Sequence, residues 1–312
     1  MSSQNMSNQK KILVTGGAGY IGSFTVRVLQ KSGYEVVIFD DLSAGHKEAV
    51  EGFELIKGNL VQDQDLLAGL LQKNKFEAVM HFAAFIQMGE SFRKPEKYFR
   101  NNVLGSLNLL EATVKAGVDK FIFSSTAGVY GEPEKLPIQE EDPKNPTNPY
   151  GETKLMIERM LFWLDKAYGL HSVAIRYFNA AGAALDGSIG EDHPQESHLI
   201  PLAIKAALAG QQFNIFGQDY PTPDGTCVRD YIHVLDLAEA HLLALKALEG
   251  GAQTTVYNAG VGKGYSNLQI VEMIKKVTGI PLSVQFGPRR AGDAAALYAS
   301  SRKIKQELGW EA

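Results

Sequence analysis

Residues 15–22 read TGGAGYIG and lie between the apolar run KILVT (Lys11–Thr15) and the helical pattern YIGSFTVRVLQKSG. Gly17, Gly19 and Gly22 satisfy G-x-G-x-x-G; Gly16, Gly19 and Gly22 satisfy the related G-x-x-G-x-x-G spacing. Glycines there permit a tight turn and let the backbone approach a pyrophosphate, whose charge then faces the unpaired N–H groups of a helix N-terminus. The next apolar run, EVVIFD, ends in Asp40, with Asp41 beside it. Strand, glycine turn, helix and strand-end acid are together the context that turns a weak glycine motif into a dinucleotide-binding fingerprint. A carboxylate at Asp40 accepts hydrogen bonds from adenosine ribose hydroxyls and repels a 2′-phosphate. No arginine follows immediately, so the expected cofactor is NAD rather than NADP.

The same alternation continues outward. FELIKGN, AVMHFA, KFIFSS and SVAIRYFN read as four more strands; DQDLLAGLLQK, PEKYFRNNVLGSLNLLEATVKAG and GETKLMIERMLFWLDKAYG read as helices between them. Near-continuous apolar strands alternating with helices predict an α/β fold with a doubly wound parallel sheet. After Asn179 the rhythm changes to the small, polar stretch AAGAALDGSIGEDHPQESH and then to shorter elements. The expected division is an NAD-binding Rossmann domain over 11–180 and a smaller C-terminal α/β substrate domain over 181–312.

Composition excludes other classes. The 312 residues are 45% hydrophobic and 21% charged, which suits a globular fold, and the net charge of -4 argues against a nucleic-acid binder that works by bulk charge. The single cysteine, Cys227, allows no intrachain disulfide. The leader MSSQNMSNQK is polar, without the apolar core of a signal peptide, and no run is long enough to span a membrane. A cytoplasmic protein that uses neither membrane nor nucleic acid is expected. No histidine pair has a spacing such as H-E-x-x-H, so no metal is expected.

In NPYGETKLMIERML, Tyr150 precedes Lys154 by four residues, which places both on one face of a helix. A phenol titrates near pH 10 and is a poor base at neutrality. A nearby ammonium favours the phenolate, and an oxidised nicotinamide adds a second positive charge. Tyr150 can then take a proton from a substrate hydroxyl while hydride leaves the same carbon. Thr126, in SSTAGVYG, ends the fifth strand, the edge where open parallel sheets bind ligands, and its hydroxyl can hydrogen-bond the reacting oxygen.

Together these residues resemble the extended short-chain dehydrogenase/reductase family, and within it the UDP-glucose 4-epimerases. The likeness covers nearly the whole chain and rests on VTGGAGYIGS, HFAAFIQMGES, NNVLGSLNLL, FIFSSTAGVYG, NPYGETK, RYFNAAGA, FGQDYPTPDGTCVRDYIHVLDLA, YNAG and RRAGD. It implies an isomerase that interconverts UDP-galactose and UDP-glucose: Tyr150 removes the 4-hydroxyl proton, bound NAD takes and returns the C4 hydride, and the 4-keto sugar turns over while UDP stays anchored. It assigns Tyr20, Ile21, Asn59, Leu60, Phe82, Ala83, Ala84, Asn101 and Phe178 to the cofactor site. It assigns Asn179, His198, Leu199, Asn214, Phe216, Arg229, Tyr231, Arg290 and Asp293 to the UDP-sugar site, where arginine forks suit phosphate oxygens.

Departures from that pattern matter. Asn59 stands where relatives often place an aspartate against the adenine amino group, which an amide can also accept from. Ile86 replaces a lysine, His198 an asparagine, and Leu297 falls where some relatives carry a pocket-narrowing tyrosine. Relatives continue beyond LGWEA into another helix. His233 reads as a structural histidine before a helix starting around Asp236. Ala127 and Gly128 fill the slot where a 4,6-dehydratase carries an Asp-Glu pair, which disfavours that reading. A non-catalytic NAD-binding sensor is disfavoured by the intact Tyr150, Lys154 and Thr126. The apolar richness of LNLLEATV and LMIERMLFWL, with Asn102, suggests a two-helix face that pairs in a homodimer.

Overall fold

The short apolar runs fold into strands covered on both faces. β1 (Lys11–Thr15) is buried from Ile12 onward and leads through the glycine turn into α1 (Tyr20–Lys31). β2 (Glu35–Asp40), β3 (Glu54–Lys57), α2 (Gln64–Lys73), β4 (Phe76–His81), the short α3 (Met88–Arg93) and α4 (Pro95–Tyr98), α5 (Gly105–Lys115), β5 (Lys120–Ser124), α6 (Pro149–Tyr168) and β6 (His171–Tyr177) follow. The structure, a computed structural model, describes residues 9–290 and 292–312; most of the polar leader lies outside the described residues. The expected long helix from PEKYF runs unbroken to Lys115, but its Phe99–Leu104 segment, between α4 and α5, is π-helical.

The chain continues through β7 (Asn179–Ala181), α7 (Leu199–Leu208), β8 (Phe213–Phe216), β9 (Val228–Arg229), β10 (Tyr231–His233), α8 (Val234–Glu249) and β11 (Thr255–Ala259). It ends with β12 (Tyr265–Ser266), α9 (Asn267–Thr278), β13 (Val284–Gly287), β14 (Ala296–Leu297) and α10 (Arg302–Leu308). The main sheet has the order β11-β6-β5-β4-β1-β2-β3, and every pairing in it is parallel. This is the expected doubly wound α/β architecture. Strand order reverses between β1 and β4, and the crevice outside their carboxyl ends is where such sheets bind ligands.

Alternate strand residues serve opposite layers, as the pleat requires. Ile12 and Val14 join the core that holds Leu237, Leu245 and Tyr257, whereas Leu13 joins the core of Leu67, Leu109, Ile157 and Leu161. The first layer is built partly from the later chain: α8 packs against α1, and β11 extends the sheet beside β6 with Thr255 opposite Val173. The expected division between 180 and 181 therefore does not divide the sheet, which draws its seventh strand and a covering helix from beyond it. The smaller lobe has its own core of Ala203, Ala207, Phe213, Ile215, Val271, Ile274 and Leu282, under the parallel pair β8 and β13.

Candidate active site

Three of the four glycines of the turn, Gly16, Gly19 and Gly22, do different work. A Cβ on Gly16, which has φ +73°, would stand 2.4 Å from the Ala83 nitrogen, and one on Gly22 would stand 2.2 Å from the Gly16 carbonyl oxygen. Those two are required by backbone packing. Gly19, at φ -76°, would place its Cβ no nearer than 3.4 Å to any neighbour. It is the N-cap of α1 and supplies no side-chain cap, so the first N–H groups of the helix remain available at its positive end. An open approach to uncapped donors fits a pyrophosphate.

Asp40 closes the other side. Its Oδ2 accepts from the Ala18 N–H at 2.9 Å and its Oδ1 from the Leu42 N–H at 2.8 Å. Burial pushes its pKa up, opposed by those backbone bonds. Each oxygen keeps a lone pair for a ribose hydroxyl. Asp41 accepts from the Asn59 amide nitrogen at 2.7 Å. The Asn59 amide oxygen accepts from the N–H groups of Val61 and Gln62 at 2.9 and 3.2 Å. Both its lone pairs are thus committed to the turn before α2, so the expected acceptance from an adenine amino group does not match how this amide is used.

The remaining expected cofactor residues line the same edge. Phe82 and Ala83 donate backbone N–H groups to the Thr15 carbonyl at 2.8 and 3.2 Å. Ala84 follows them; Leu60 packs under Gly105, and Asn108 caps the Leu60 carbonyl at 2.9 Å. The Tyr20 hydroxyl donates to the Gly182 carbonyl at 2.7 Å, and Ile21 packs against the cluster of Phe24, Val234 and Ala238. Asn101 donates to the Asn102 amide oxygen at 3.0 Å. Asn102 is fully buried: it accepts from the Phe85 N–H and donates to the Phe85 carbonyl and the Thr153 hydroxyl. It ties the loop after β4 to α6 and cannot belong to an exposed pairing face, which corrects that expectation.

The expected catalytic pair sits at the start of α6. Asn148 caps the helix, its amide oxygen accepting from the Gly151 N–H at 2.8 Å, and Pro149 opens the first turn. Tyr150 and Lys154 follow on one face. The Lys154 ammonium donates to the Ser124 carbonyl at 2.8 Å and lies 6.0 Å from the Tyr150 ring centroid. Burial pushes Lys154 down to about 7, with the Glu158 charge opposing. Burial also pushes the Tyr150 phenol up, aided by Tyr177 and opposed by a hydrogen bond from Thr126. The expectation that the ammonium lowers the phenol is therefore outweighed here by desolvation. Thr126 ends β5 as expected, its hydroxyl oxygen accepting from the Gly128 N–H at 3.1 Å.

Sequence reading missed the support beneath this pair. Glu158, one further turn along α6, forms a forked ion pair with Arg176 of β6, at 2.5 and 3.0 Å, and accepts from the Ser125 hydroxyl at 2.5 Å. Arg176 also donates to the Tyr130 hydroxyl at 2.7 Å, which donates in turn to Asn258 of β11 at 2.7 Å. The signal was present: Tyr150, Lys154 and Glu158 form one i, i+4, i+8 row.

The expected UDP-sugar residues fall into three groups. Asp293 lies between two arginines, with Arg229 at 3.6 Å and Arg290 at 3.0 Å, and the Arg290 guanidinium stands 5.0 Å from the Phe216 ring centroid. Asn214 and Phe216 share one face of β8, two residues apart. Asn179, which donates to the Asp230 carbonyl at 3.1 Å, lies opposite Tyr231 in the β7–β10 pairing. His198 and Leu199 begin α7, with His198 bonded to Glu191. Leu297 pairs opposite Arg229 and packs, with Phe178, beside Val129 and Tyr130. His233 is structural, as expected, but it caps a helix that begins at Val234, its Nδ1 accepting from the Leu235 N–H at 3.2 Å.

A parallel sheet with a glycine cradle, a ribose-directed acid and a Tyr–Lys pair at its carboxyl edge defines a nucleotide-dependent short-chain oxidoreductase scaffold. The profile of the NAD dependent epimerase/dehydratase family matches residues 12–260, and the chain belongs to that family. It is 51% identical over 302 residues to a UDP-glucose 4-epimerase of Lactobacillus helveticus, covering 96% of this chain and 92% of that protein. Its fold matches the crystal structure of UDP-glucose 4-epimerase from Brucella ovis in complex with NAD, with TM-score 0.94 and 46% identity over 97% of this chain and 93% of that one. It matches the Bifidobacterium longum enzyme in complex with NAD+ and UDP with TM-score 0.92 and 38% identity, covering 97% of this chain and 93% of that one.

Proposed function

We propose that the chain is an NAD-dependent isomerase that interconverts UDP-galactose and UDP-glucose by inversion at C4. The observation that carries this reading is the Tyr150, Lys154 and Thr126 constellation, with Ala127 and Gly128 after it, neither of which can move a proton as dehydration requires. NAD, when bound, would supply the hydride acceptor and donor that inversion at the sugar C4 requires. Tyr150 takes the 4-hydroxyl proton and gives it back. Thr126 orients the reacting oxygen, and Lys154 holds positive charge beside the phenol and reaches the nicotinamide ribose. Arg229 and Arg290, balanced by Asp293, hold the diphosphate through both half-reactions. Binding concentrated on the UDP portion leaves the hexose free to turn, whereas a tight sugar pocket would block it.

The chain contains no helix long and apolar enough to cross a membrane among its described residues. We place it in the cytoplasm and read it as a homodimer formed through α5 and α6. The exposed Phe162 and Trp163 of α6, in edge-to-face contact at 5.2 Å, support that surface.

The test is direct. The protein is incubated with UDP-galactose and, separately, with its N-acetyl analogue, with and without added NAD, and products are identified by NMR. UDP-glucose is the expected product of the first reaction. Absence of any C4-inverted product would overturn the assignment, and the second reaction reports whether Leu297 leaves room for an acetamido group.

A further inference from the structure

Residues 191–198 read EDHPQESH and belong to the polar stretch that separates β7 from α7. There one ligand atom from each of Glu191, His193, Glu196 and His198 lies within 4.8 Å of all the others. The His193 and His198 rings stand 5.3 Å apart, edge to face at 89°, and the Nδ1 atoms of both lie within salt-bridge distance of the same Glu191 oxygen, Oε1. The Glu191 and Glu196 side chains are only 8% and 5% exposed. Among the described residues no lysine or arginine nitrogen lies within salt-bridge distance of either carboxylate; their only basic neighbours are the two imidazoles. Buried carboxylates are paired or bind a metal, because an uncompensated buried charge is costly.

Glu196 is also fixed from behind. Its Oε1 accepts from the N–H groups of Ser197 and His198 at 2.7 and 2.8 Å, leaving Oε2 directed at His193. We propose that Glu191, His193, Glu196 and His198 form a tetrahedral site for a first-row divalent cation of the zinc type. Two imidazole nitrogens and two carboxylate oxygens are a donor set such a cation takes, and two carboxylates neutralise its charge. With metal–ligand bonds near 2.0 to 2.2 Å, tetrahedral ligands stand roughly 3.3 Å apart, which the present spread reaches by small side-chain rotations. The expectation of no metal looked for helical H-E-x-x-H spacing; here the donors come from an irregular segment in the order E-x-H-x-x-E-x-H.

The site has a mechanical consequence. This segment packs on the cofactor turn: the His193 ring lies 6.3 Å from that of Tyr20, Gln87 donates to the Gln195 carbonyl at 3.1 Å, and His46 contacts Asp192. A bound cation pins that segment beside the glycine turn and fixes the start of α7, where His198 is the N-cap and Leu199 the first helical residue.

The full-length protein is stripped with a chelator and titrated with Co2+, read by visible absorption, and with Zn2+, read by thermal melting. Expected are a tetrahedral-intensity band saturating at one equivalent, displaced by Zn2+, and a rise in melting temperature. Both responses disappear in His193→Ala and Glu196→Gln, with far-UV circular dichroism confirming folding. No stoichiometric band in the wild-type chain, or a band that persists in both folded variants, overturns the proposal. Should either variant fail to fold, the other variant and the wild-type titration decide.

Discussion

The Lys154 ammonium is anchored to the Ser124 carbonyl at 2.8 Å, at the end of β5, and stands 6.0 Å from the centre of the Tyr150 ring. The strand thus positions the charge, and the helix brings the phenol to it. Tyr150 is the group in this arrangement that can move the substrate proton. Tyr150→Phe should lower kcat by at least about a hundredfold, the lower range for a lost general base. UDP binding, measured by calorimetry, should be unchanged. Near-normal turnover would remove Tyr150 from the chemistry.

Lys154 gives a pH signature in the protein freed of nucleotide. Its folded pKa is about 7, below its ordinary 10.5, because burial disfavours the ammonium. Between those values the unfolded chain binds a proton that the folded chain does not, so stability rises with pH, by at most about 1.4 kcal/mol per unit. Below about pH 7 both states are protonated and the full cost of the buried charge is present. The Tyr150 phenol is pushed up, so above its ordinary 10.0 the unfolded chain ionises first and stability falls again. Urea titrations at several pH values between 7 and 10, on wild type and Lys154→Met, should show wild type gaining on the variant as pH rises. A constant gap would mean that the buried lysine keeps its proton throughout.

The glycine turn separates packing from ligand approach. Gly22→Ala drives a methyl to 2.2 Å from the Gly16 carbonyl and should destabilise the fold by about 1–3 kcal/mol, the usual range for overpacking. Gly19→Ala meets nothing nearer than 3.4 Å and should fold with a melting temperature close to wild type, yet lose bound dinucleotide because its methyl occupies the pyrophosphate approach. Melting curves and nucleotide content after purification distinguish the two. Equal nucleotide retention in Gly19→Ala and wild type would place the diphosphate elsewhere.

Six strands and the shared face of Tyr150 and Lys154 were legible because their signals are local. Apolar runs such as KILVT and AVMHFA announce buried strands, and the Tyr150–Lys154 spacing announces a shared helix face. The strand Thr255–Ala259 was not legible as the seventh strand of the main sheet, since a strand's own residues do not name its partner. The π-helical turn at Phe99–Leu104 was hidden because its residues are all compatible with an α-helix; tertiary bonds of Asn102 to Phe85 and Thr153 accompany it. Asn59 was read as a free acceptor because sequence does not show that the N–H groups two and three residues on would claim its oxygen.

Glu158 tests whether that hidden support is structural. Its carboxylate and the Arg176 guanidinium are both buried, and Arg176 has no other carboxylate partner among the described residues. Glu158→Gln leaves a buried cation without its counter-charge and should cost about 3–5 kcal/mol, the range for breaking a buried pair from one side. The double variant Glu158→Leu with Arg176→Met removes both charges and should recover much of that loss in denaturant titrations. No loss in the single variant would mean that solvent compensates the arginine.

The α6 surface offers the last expectation. Leu109, Leu110, Ile157 and Leu161 are buried in the second core layer, so core packing explains most of the apolar residues of α5 and α6. Phe162 and Trp163 remain 47% and 68% exposed, and Leu104, just before α5, is exposed as well. Large aromatics held together on a helix exterior are costly to leave in water, and a second copy of the same face would cover them isologously. Sedimentation should give a dimer for wild type and a monomer for Trp163→Glu, with the far-UV circular dichroism unchanged because the side chain contributes little to the core. A wild-type monomer at micromolar concentration would leave the aromatic pair without this role.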